Sequence, residues 1–106
     1  MSTAEPRTFR CLSAAEAAHL IRDPEVAVFD VRDLASYRSG HVAGAAHLSE
    51  DRLLAWIRRL ARETPVVIYC YHGNASKAYA QMFADLRYTN VVSVDGGYPA
   101  LAAALG

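Results

Sequence analysis

One cysteine of this sequence stands where a protein can activate a nucleophile. Cys70 follows the apolar run at 66–69, and a short glycine-containing loop then leads into a helical segment. The first amides of a helix have no partner within the helix, and together with the helix dipole they can bind an anion. Because a thiolate is an anion, this position predicts that Cys70 is a nucleophile near neutral pH. A small buried side chain of the core also fits the local pattern, which leaves both interpretations open.

The residues after Cys70 have the types that an anion-binding loop needs. Gly73 allows the backbone to turn so that several amides converge, Asn74 tolerates the left-handed conformation, and Ser76 can cap the helix. Lys77 places a cation in the first helical turn, where it opposes the dipole. This lysine either draws an anionic substrate toward the loop or is an ordinary solvated side chain.

The other segments predict the elements that position this loop. Apolar runs predict strands at 9–12, 26–29, 44–48, 66–69 and 91–94, and helical patterns occupy 14–22, 33–39, 49–61, 76–86 and 98–105. Ser13 and Glu16 have the spacing of a capping box, and Gly40 is placed to end the second helix in the left-handed conformation. The alternation predicts an α/β fold, a mostly parallel five-stranded sheet with helices on both faces. In such sheets a ligand binds beyond the carboxyl ends of the strands, where Cys70 lies.

Length and composition limit the class of protein. The 106 residues fit one domain, predicted for 9–106, behind a flexible lead-in at 1–8. Eleven basic residues offset eleven acidic ones, so neither a nucleic acid nor a membrane is expected as a partner. Cys11 and Cys70 form no metal-binding pattern, and no segment has the length of a signal-peptide core or a membrane span. We therefore expect a cytoplasmic protein with free thiols, no metal and no cofactor.

Three blocks of the sequence, in order, resemble the rhodanese family of sulfurtransferases. The loop CYHGNAS is similar to the family's active-site loop, especially that of the single-domain bacterial thiosulfate sulfurtransferases of the glycerol-metabolism type. The block FDVRDLASYRSGHVAGAAHL resembles the family's N-terminal signature, and VVSVDGGYPAL resembles its closing Gly-Gly turn and last helix. Three positions depart from the common pattern: Ser36, Ala75 and Leu101.

The resemblance implies a reaction and assigns the residues that perform it. A thiolate at Cys70 would attack the outer sulfur of thiosulfate or a similar donor, release sulfite and hold the sulfur as a persulfide. Cyanide, a thiol or a thioredoxin-like protein would then remove that sulfur. The resemblance places the substrate at a loop formed by Tyr71, His72, Gly73, Asn74, Ala75, Ser76 and Lys77. The amides from Tyr71 through Ser76 would stabilise the persulfide. Asp30 and Arg32 are implied to be structural supports that tie loops together by charged hydrogen bonds.

Several other residues that can carry chemistry or pack in a core are interpreted as structural. His41 is expected to pack or to form a hydrogen bond, and His72 to lie at the rim of the loop. Cys11 is expected to be an inert thiol of the core. The predicted core also contains Phe29, Trp56, Phe83 and Leu86.

Three alternatives compete with the sulfurtransferase interpretation. Cysteine-dependent phosphatases and arsenate reductases use a similar loop, but phosphatases of this kind have an arginine six residues after the cysteine, where this chain has Ser76. A non-catalytic binding module is disfavoured by the intact Cys70. A persulfide carrier that serves a partner protein uses the same chemistry as the enzyme and differs only in the acceptor.

Overall fold

The computed structural model describes residues 8–106, which form one five-stranded parallel sheet with helices on both faces. The predicted fold class is therefore confirmed. The strands, in spatial order β1-β5-β4-β2-β3, are β1 (Arg10–Leu12), β2 (Ala27–Asp30), β3 (Ala46–His47), β4 (Val66–Tyr69) and β5 (Val91–Val94). The helices are α1 (Ala14–Leu20), α2 (Leu34–Ser39), α3 (Glu50–Arg59), α4 (Ala75–Asp85) and α5 (Gly97–Leu105).

Strand β4 lies at the centre of the sheet and divides the core into two clusters. Its side chains alternate, so that Val67 and Tyr69 pack on the face covered by α1 and α5, while Val66 and Ile68 pack on the face covered by α3 and α4. All four residues of β4 are buried, as a continuous apolar run predicts for a strand covered on both sides. The carboxyl end of this strand therefore has a fixed position in the fold.

The order in which successive strands are added to the sheet reverses between β2 and β4. From β2 the chain moves outward to β3, and from β4 it moves in the opposite direction to β5. A crevice opens beyond the carboxyl ends of two parallel strands at such a switch point. The segment after β2 and the segment after β4 are thereby brought together at one edge of the sheet.

The predicted capping box is present, but the predicted end of α2 is wrong. The hydroxyl of Ser13 accepts a hydrogen bond from the amide of Glu16, and the Glu16 carboxylate accepts one from the amide of Ser13. Gly40, in contrast, has a φ of 163° and lies in the extended region. The chain leaves α2 in this direction because the carbonyl of Gly40 accepts a 2.6 Å hydrogen bond from the buried guanidinium of Arg32.

Two residues predicted to lie in the core are exposed instead. Cys11 is exposed because β1 is an edge strand, paired only with β5. Leu86, the C-terminal cap of α4, is 39% exposed. Phe29 and Phe83 are buried as predicted, and Trp56 is half-buried in a T-shaped contact with the ring of Phe29.

Two further predictions concern the N-terminal segment and membrane-spanning helices. The proposed lead-in at 1–8 lies outside the described residues apart from Thr8, which is exposed. No helix in residues 8–106 combines the length and apolar character that a membrane span requires.

Candidate active site

The sulfur of Cys70 lies in a small hydrogen-bonded enclosure directly after β4. The residue is only 4% exposed. The amide of Gly73 donates a hydrogen bond to the sulfur at 3.1 Å, and the thiol lies 3.4 Å from the hydroxyl oxygen of Ser76. That oxygen in turn lies 2.7 Å from the hydroxyl of Ser93 on β5. The cysteine is thus surrounded by donors suited to a negatively charged sulfur.

The loop differs from the sequence-based expectation in two details. Asn74 has right-handed dihedral angles, and the left-handed conformation belongs to Gly73, with a φ of 96°. Ser76 is not the cap of α4, because that position is taken by Asn74, whose side chain makes no capping hydrogen bond. Ser76 lies one residue inside the helix, where its buried side chain faces Cys70. The hydroxyl is therefore part of the sulfur site itself.

The turn between β5 and α5 fixes the loop from behind. The amide of Tyr98 donates a 2.7 Å hydrogen bond to the carbonyl of Cys70. A side-chain carbon at Gly97 would lie 2.0 Å from the carbonyl oxygen of Tyr71, so this close approach depends on glycine. A side-chain carbon at Gly73 would meet the backbone of Val94 at 3.3 Å. Loop and turn are therefore packed backbone against backbone.

The environment favours the ionised form of the thiol. Burial by itself acts to raise the pKa of Cys70, but hydrogen bonds from the Ser76 hydroxyl and from the amides of Ser76, Gly73 and His72 hold the pKa below its usual value. The amide donors come from the start of α4 and the loop before it, where the helix dipole also favours an anion.

We predict that alkylation of Cys70 by iodoacetamide rises with pH through a midpoint below that of a free cysteine peptide. Only the thiolate reacts, so between the two pKa values Cys70 is already mostly ionised while the peptide is mostly protonated. Below the lowered pKa the rate should fall about ten-fold per pH unit. The measurement uses the Cys11→Ser variant, in which Cys70 is the remaining thiol.

Because Cys70 is only 4% exposed, restricted access of the reagent slows the absolute rate of that alkylation at every pH but does not move its midpoint. The free cysteine peptide, alkylated in parallel, provides the reference. A midpoint at or above that of the peptide would mean that burial outweighs the hydrogen bonds, and the predicted activation would be wrong.

A cavity of about 330 Å³ opens in front of the sulfur, between the segments that follow β2 and β4. Its lining consists of Val31, Arg32, Asp33, Cys70, Tyr71, His72, Asn74 and Ala75. The hydroxyl of Tyr71 is hydrogen-bonded to that of Ser36, which also donates to the Asp33 carboxylate. Tyr71 is thereby held at the mouth of the cavity although 43% of its surface is exposed.

Arg32 and Asp30 form a buried ion pair beside this cavity. The guanidinium lies 2.7 Å from the carboxylate, and Asp30 is fully buried. The same guanidinium lies 3.9 Å from the centre of the Tyr98 ring and 5.4 Å from that of Tyr71. Arg32 thus joins the segment after β2 to the Cys70 loop and to α5, and it also forms part of the cavity wall.

The structure places the other predicted site residues as follows. Lys77 is exposed and is not part of the cavity lining. His41 is exposed and stacks on Tyr37 with ring centres 3.8 Å apart, so it packs as predicted. His72 is exposed and is one of the residues that line the cavity. In residues 8–106 no three His, Cys, Asp or Glu side chains are grouped so as to hold a metal ion.

Sequence reasoning missed two contributors to the site. Ser93 gives a weak signal, since it is the polar residue of an otherwise apolar buried strand. Tyr98 lies directly after the Gly96-Gly97 turn, but nothing local indicates that its amide reaches the Cys70 carbonyl.

Comparison with known proteins relates the chain to one domain family. The model of the rhodanese-like domain matches residues 13–104. A curated relative, thiosulfate sulfurtransferase GlpE of Tolumonas auensis, is 40% identical over 90 residues, which cover 85% of each chain.

Solved structures share the fold. The crystal structure of a rhodanese-related protein from Thermoplasma volcanium has 25% identity and a TM-score of 0.73, and the alignment covers 90% of this chain and 92% of that one. A protein of unknown function from Rhodopseudomonas palustris, described as a possible tyrosine phosphatase, has 23% identity and a TM-score of 0.75. That alignment covers 100% of this chain and 97% of the other. With the domain match across most of its length, the chain belongs to the rhodanese family of sulfurtransferases.

Proposed function

We propose that this protein is a thiosulfate sulfurtransferase whose sulfur carrier is the thiolate of Cys70. The observation that carries the proposal is a buried thiol with a lowered pKa, held in a cradle of amide and hydroxyl donors and facing a cavity of about 330 Å³. The 40% identity to a thiosulfate sulfurtransferase supports the choice of donor.

In the first half-reaction the Cys70 thiolate attacks the outer sulfur of thiosulfate. A sulfur–sulfur bond forms to Cys70, the sulfur–sulfur bond of thiosulfate breaks, and sulfite leaves with the bonding electron pair. The product is a persulfide whose terminal sulfur is anionic. Donors aimed at a developing negative charge stabilise it without reorganisation, and the amides of the 71–76 loop are the candidates for that role.

In the second half-reaction a nucleophile attacks the terminal sulfur. Cyanide would leave as thiocyanate, and the electron pair of the broken sulfur–sulfur bond returns to Cys70 as thiolate. In the first half-reaction Cys70 attacks as a thiolate, so no base has to remove its proton. Neither His72 nor His41 is therefore needed as a base. A small thiol or a thioredoxin-like protein would serve as acceptor in the cell, and cyanide in an assay.

The lining of the cavity suggests what each part contributes to binding. His72, Asn74 and Ala75 form its wall on the loop side, and Arg32 forms its wall on the β2 side. Because Lys77 lies outside the lining, its contribution would be attraction of a dianionic donor from a distance. Asp30 would support the site indirectly, by neutralising and orienting Arg32.

A phosphatase is the main alternative, and one structural relative is described as a possible tyrosine phosphatase. The position that would hold the phosphate-gripping arginine is Ser76, whose buried hydroxyl points at the sulfur. Without an arginine guanidinium at this position, the site lacks the group that binds phosphate through two parallel hydrogen bonds. The geometry therefore favours transfer of sulfur over transfer of phosphate.

Intact mass spectrometry tests the proposal. The purified protein is incubated with thiosulfate beside the Cys70→Ala variant, and the mass is recorded before and after addition of cyanide. We expect a gain of one sulfur on the native chain alone, which cyanide removes as thiocyanate. A gain that also occurs on the variant would place the sulfur on Cys11, and no gain with thiosulfate or another sulfane donor would refute the function. Cys70-dependent hydrolysis of an aryl phosphate would favour the phosphatase instead.

A further inference from the structure

Strand β5 carries one hydroxyl into the interior of the protein. Its sequence is Val91-Val92-Ser93-Val94, and all four residues are buried, with Ser93 completely shielded from solvent. Burial of a hydroxyl is unfavourable unless it is hydrogen-bonded, and a small apolar residue would fill the same place at no such cost. A specific partner must therefore stabilise Ser93 in this strand.

That partner is the hydroxyl of Ser76. The two oxygens lie 2.7 Å apart, and Ser76 is also completely buried. The Ser76 oxygen lies 3.4 Å from the sulfur of Cys70. Among residues 8–106 the structure gives the Ser93 hydroxyl no other hydrogen-bond partner. Sulfur, Ser76 oxygen and Ser93 oxygen thus form a chain of three atoms joined by two hydrogen bonds.

The number of hydrogens in this chain depends on the charge of the sulfur. With a neutral thiol the three groups carry three hydrogens, but the two links between them use only two. With a thiolate there are two hydrogens, and both are used when Ser93 donates to Ser76 and Ser76 donates to the sulfur. Ser76 can direct its hydrogen at the sulfur without loss because Ser93 supplies the hydrogen that its oxygen accepts.

We propose that Ser93 is a positioning residue that directs the hydroxyl hydrogen of Ser76 toward the sulfur of Cys70 and so favours the ionised nucleophile. Ser93 is not one of the cavity-lining residues and makes its hydrogen bond to Ser76, so it acts on the sulfur through Ser76. The role rests on the proposed function only in that the same thiolate would attack the sulfur donor. Ser93 thereby connects the centre of the sheet to the reactive atom.

Other charged groups around Cys70 would not account for a change in the ionisation of Cys70 when the Ser93 hydroxyl is removed. The elements around the sulfur site are β2 and the segment after it, β4, the loop, α4 and the turn after β5. Their charged or titratable residues nearest the site are Asp30, Arg32, Asp33, Tyr69, Tyr71, His72, Lys77, Asp95 and Tyr98. All of these remain unchanged when a single hydroxyl is removed from Ser93. A change in thiol reactivity can then be assigned to the hydroxyl chain.

The test is the pH profile of Cys70 alkylation by iodoacetamide, measured in a Cys11→Ser background without any sulfur donor. We expect Ser93→Ala to move the midpoint to higher pH and to lower the alkylation rate below that midpoint about five-fold. This change corresponds to about 1 kcal/mol, which is typical of one lost hydrogen bond between neutral groups. Ser76→Ala should shift the profile at least as far. Ser93→Thr, which keeps a hydroxyl, should keep the profile of the background.

The double variant separates positioning from a general loss of packing. If Ser93 acts through Ser76, then Ser76→Ala with Ser93→Ala should give the same midpoint as Ser76→Ala alone. Thermal unfolding identifies any variant that does not fold. An unchanged profile in folded Ser93→Ala, or shifts that add in the double variant, would overturn the proposal. Because no donor is present, either outcome is independent of whether thiosulfate transfers its sulfur to Cys70.

Discussion

Replacement of Gly97 by alanine is expected to destabilise the protein by about 2–5 kcal/mol, the sum of a left-handed alanine and an overpacked contact. The φ of Gly97 is 67°, and the added carbon would lie 2.0 Å from the Tyr71 carbonyl oxygen and 2.7 Å from that of Cys70. Both neighbours are backbone atoms, so the clash is relieved only if the loop moves away from the turn. The free energy of unfolding in urea measures the stability.

Displacement of the loop should also lower the reactivity of Cys70. The amide of Tyr98 holds the Cys70 carbonyl at 2.7 Å, and that bond cannot persist if the loop and the turn separate. The amide of Gly73 would then no longer point at the sulfur at its present distance of 3.1 Å. We therefore expect folded Gly97→Ala to form much less persulfide with thiosulfate than the native chain.

Gly44→Ala is the matched control. Gly44 has a similar φ of 85°, but a side-chain carbon there meets nothing within 4 Å. It therefore adds the conformational strain of a left-handed alanine alone, about 1–2 kcal/mol. If the two variants lost equal stability, then the backbone contact between loop and turn would contribute nothing, and this account of the site would be wrong.

Local structure can be predicted from the sequence where a segment determines its own conformation. The apolar runs of β4 and β5 predict both strands with their observed bounds, and the Ser13 and Glu16 spacing predicts the cap of α1. These predictions depend on hydrophobic pattern and on contacts three residues apart. They also place Cys70 correctly at the carboxyl end of a central strand.

Errors occurred where a distant segment decides the local structure. Serine commonly caps helices, and nothing near Ser76 indicates that β5 brings a second hydroxyl to it from 17 positions away. Gly40 would suit a left-handed helix end, but the Arg32 side chain draws its carbonyl into an extended segment. Both corrections come from tertiary contacts that pair polar groups inside the protein, where an unpaired group is unfavourable.

Arg32 also shows why the sequence could not separate a structural role from a functional one. The family resemblance implies a structural support, whereas one guanidinium forms both a buried ion pair and part of the cavity wall. Planar guanidinium groups can donate in several directions at once, which allows this combination. Removal of its partner should therefore affect both the fold and the site.

Asp30→Ala is expected to lower the free energy of unfolding by about 3–5 kcal/mol, the usual loss when one member of a buried ion pair is removed. The carboxylate accepts hydrogen bonds from the amide and the guanidinium of Arg32, and all of these would be lost. The Gly40 carbonyl and the Tyr98 ring would remain as partners of the cation, but neither carries a compensating negative charge. Urea unfolding at neutral pH measures the change.

The double variant Asp30→Ala with Arg32→Leu should be more stable than Asp30→Ala alone. Removal of both charges leaves no unpaired ion in the interior, and an apolar side chain recovers part of the lost packing. This recovery distinguishes the cost of an isolated charge from the cost of a cavity at Asp30. If the second substitution lowered stability further, the contacts of Arg32 with the Gly40 carbonyl and the Tyr98 ring would outweigh its charge. The arginine would then stabilise the segment beside Cys70 without needing its carboxylate.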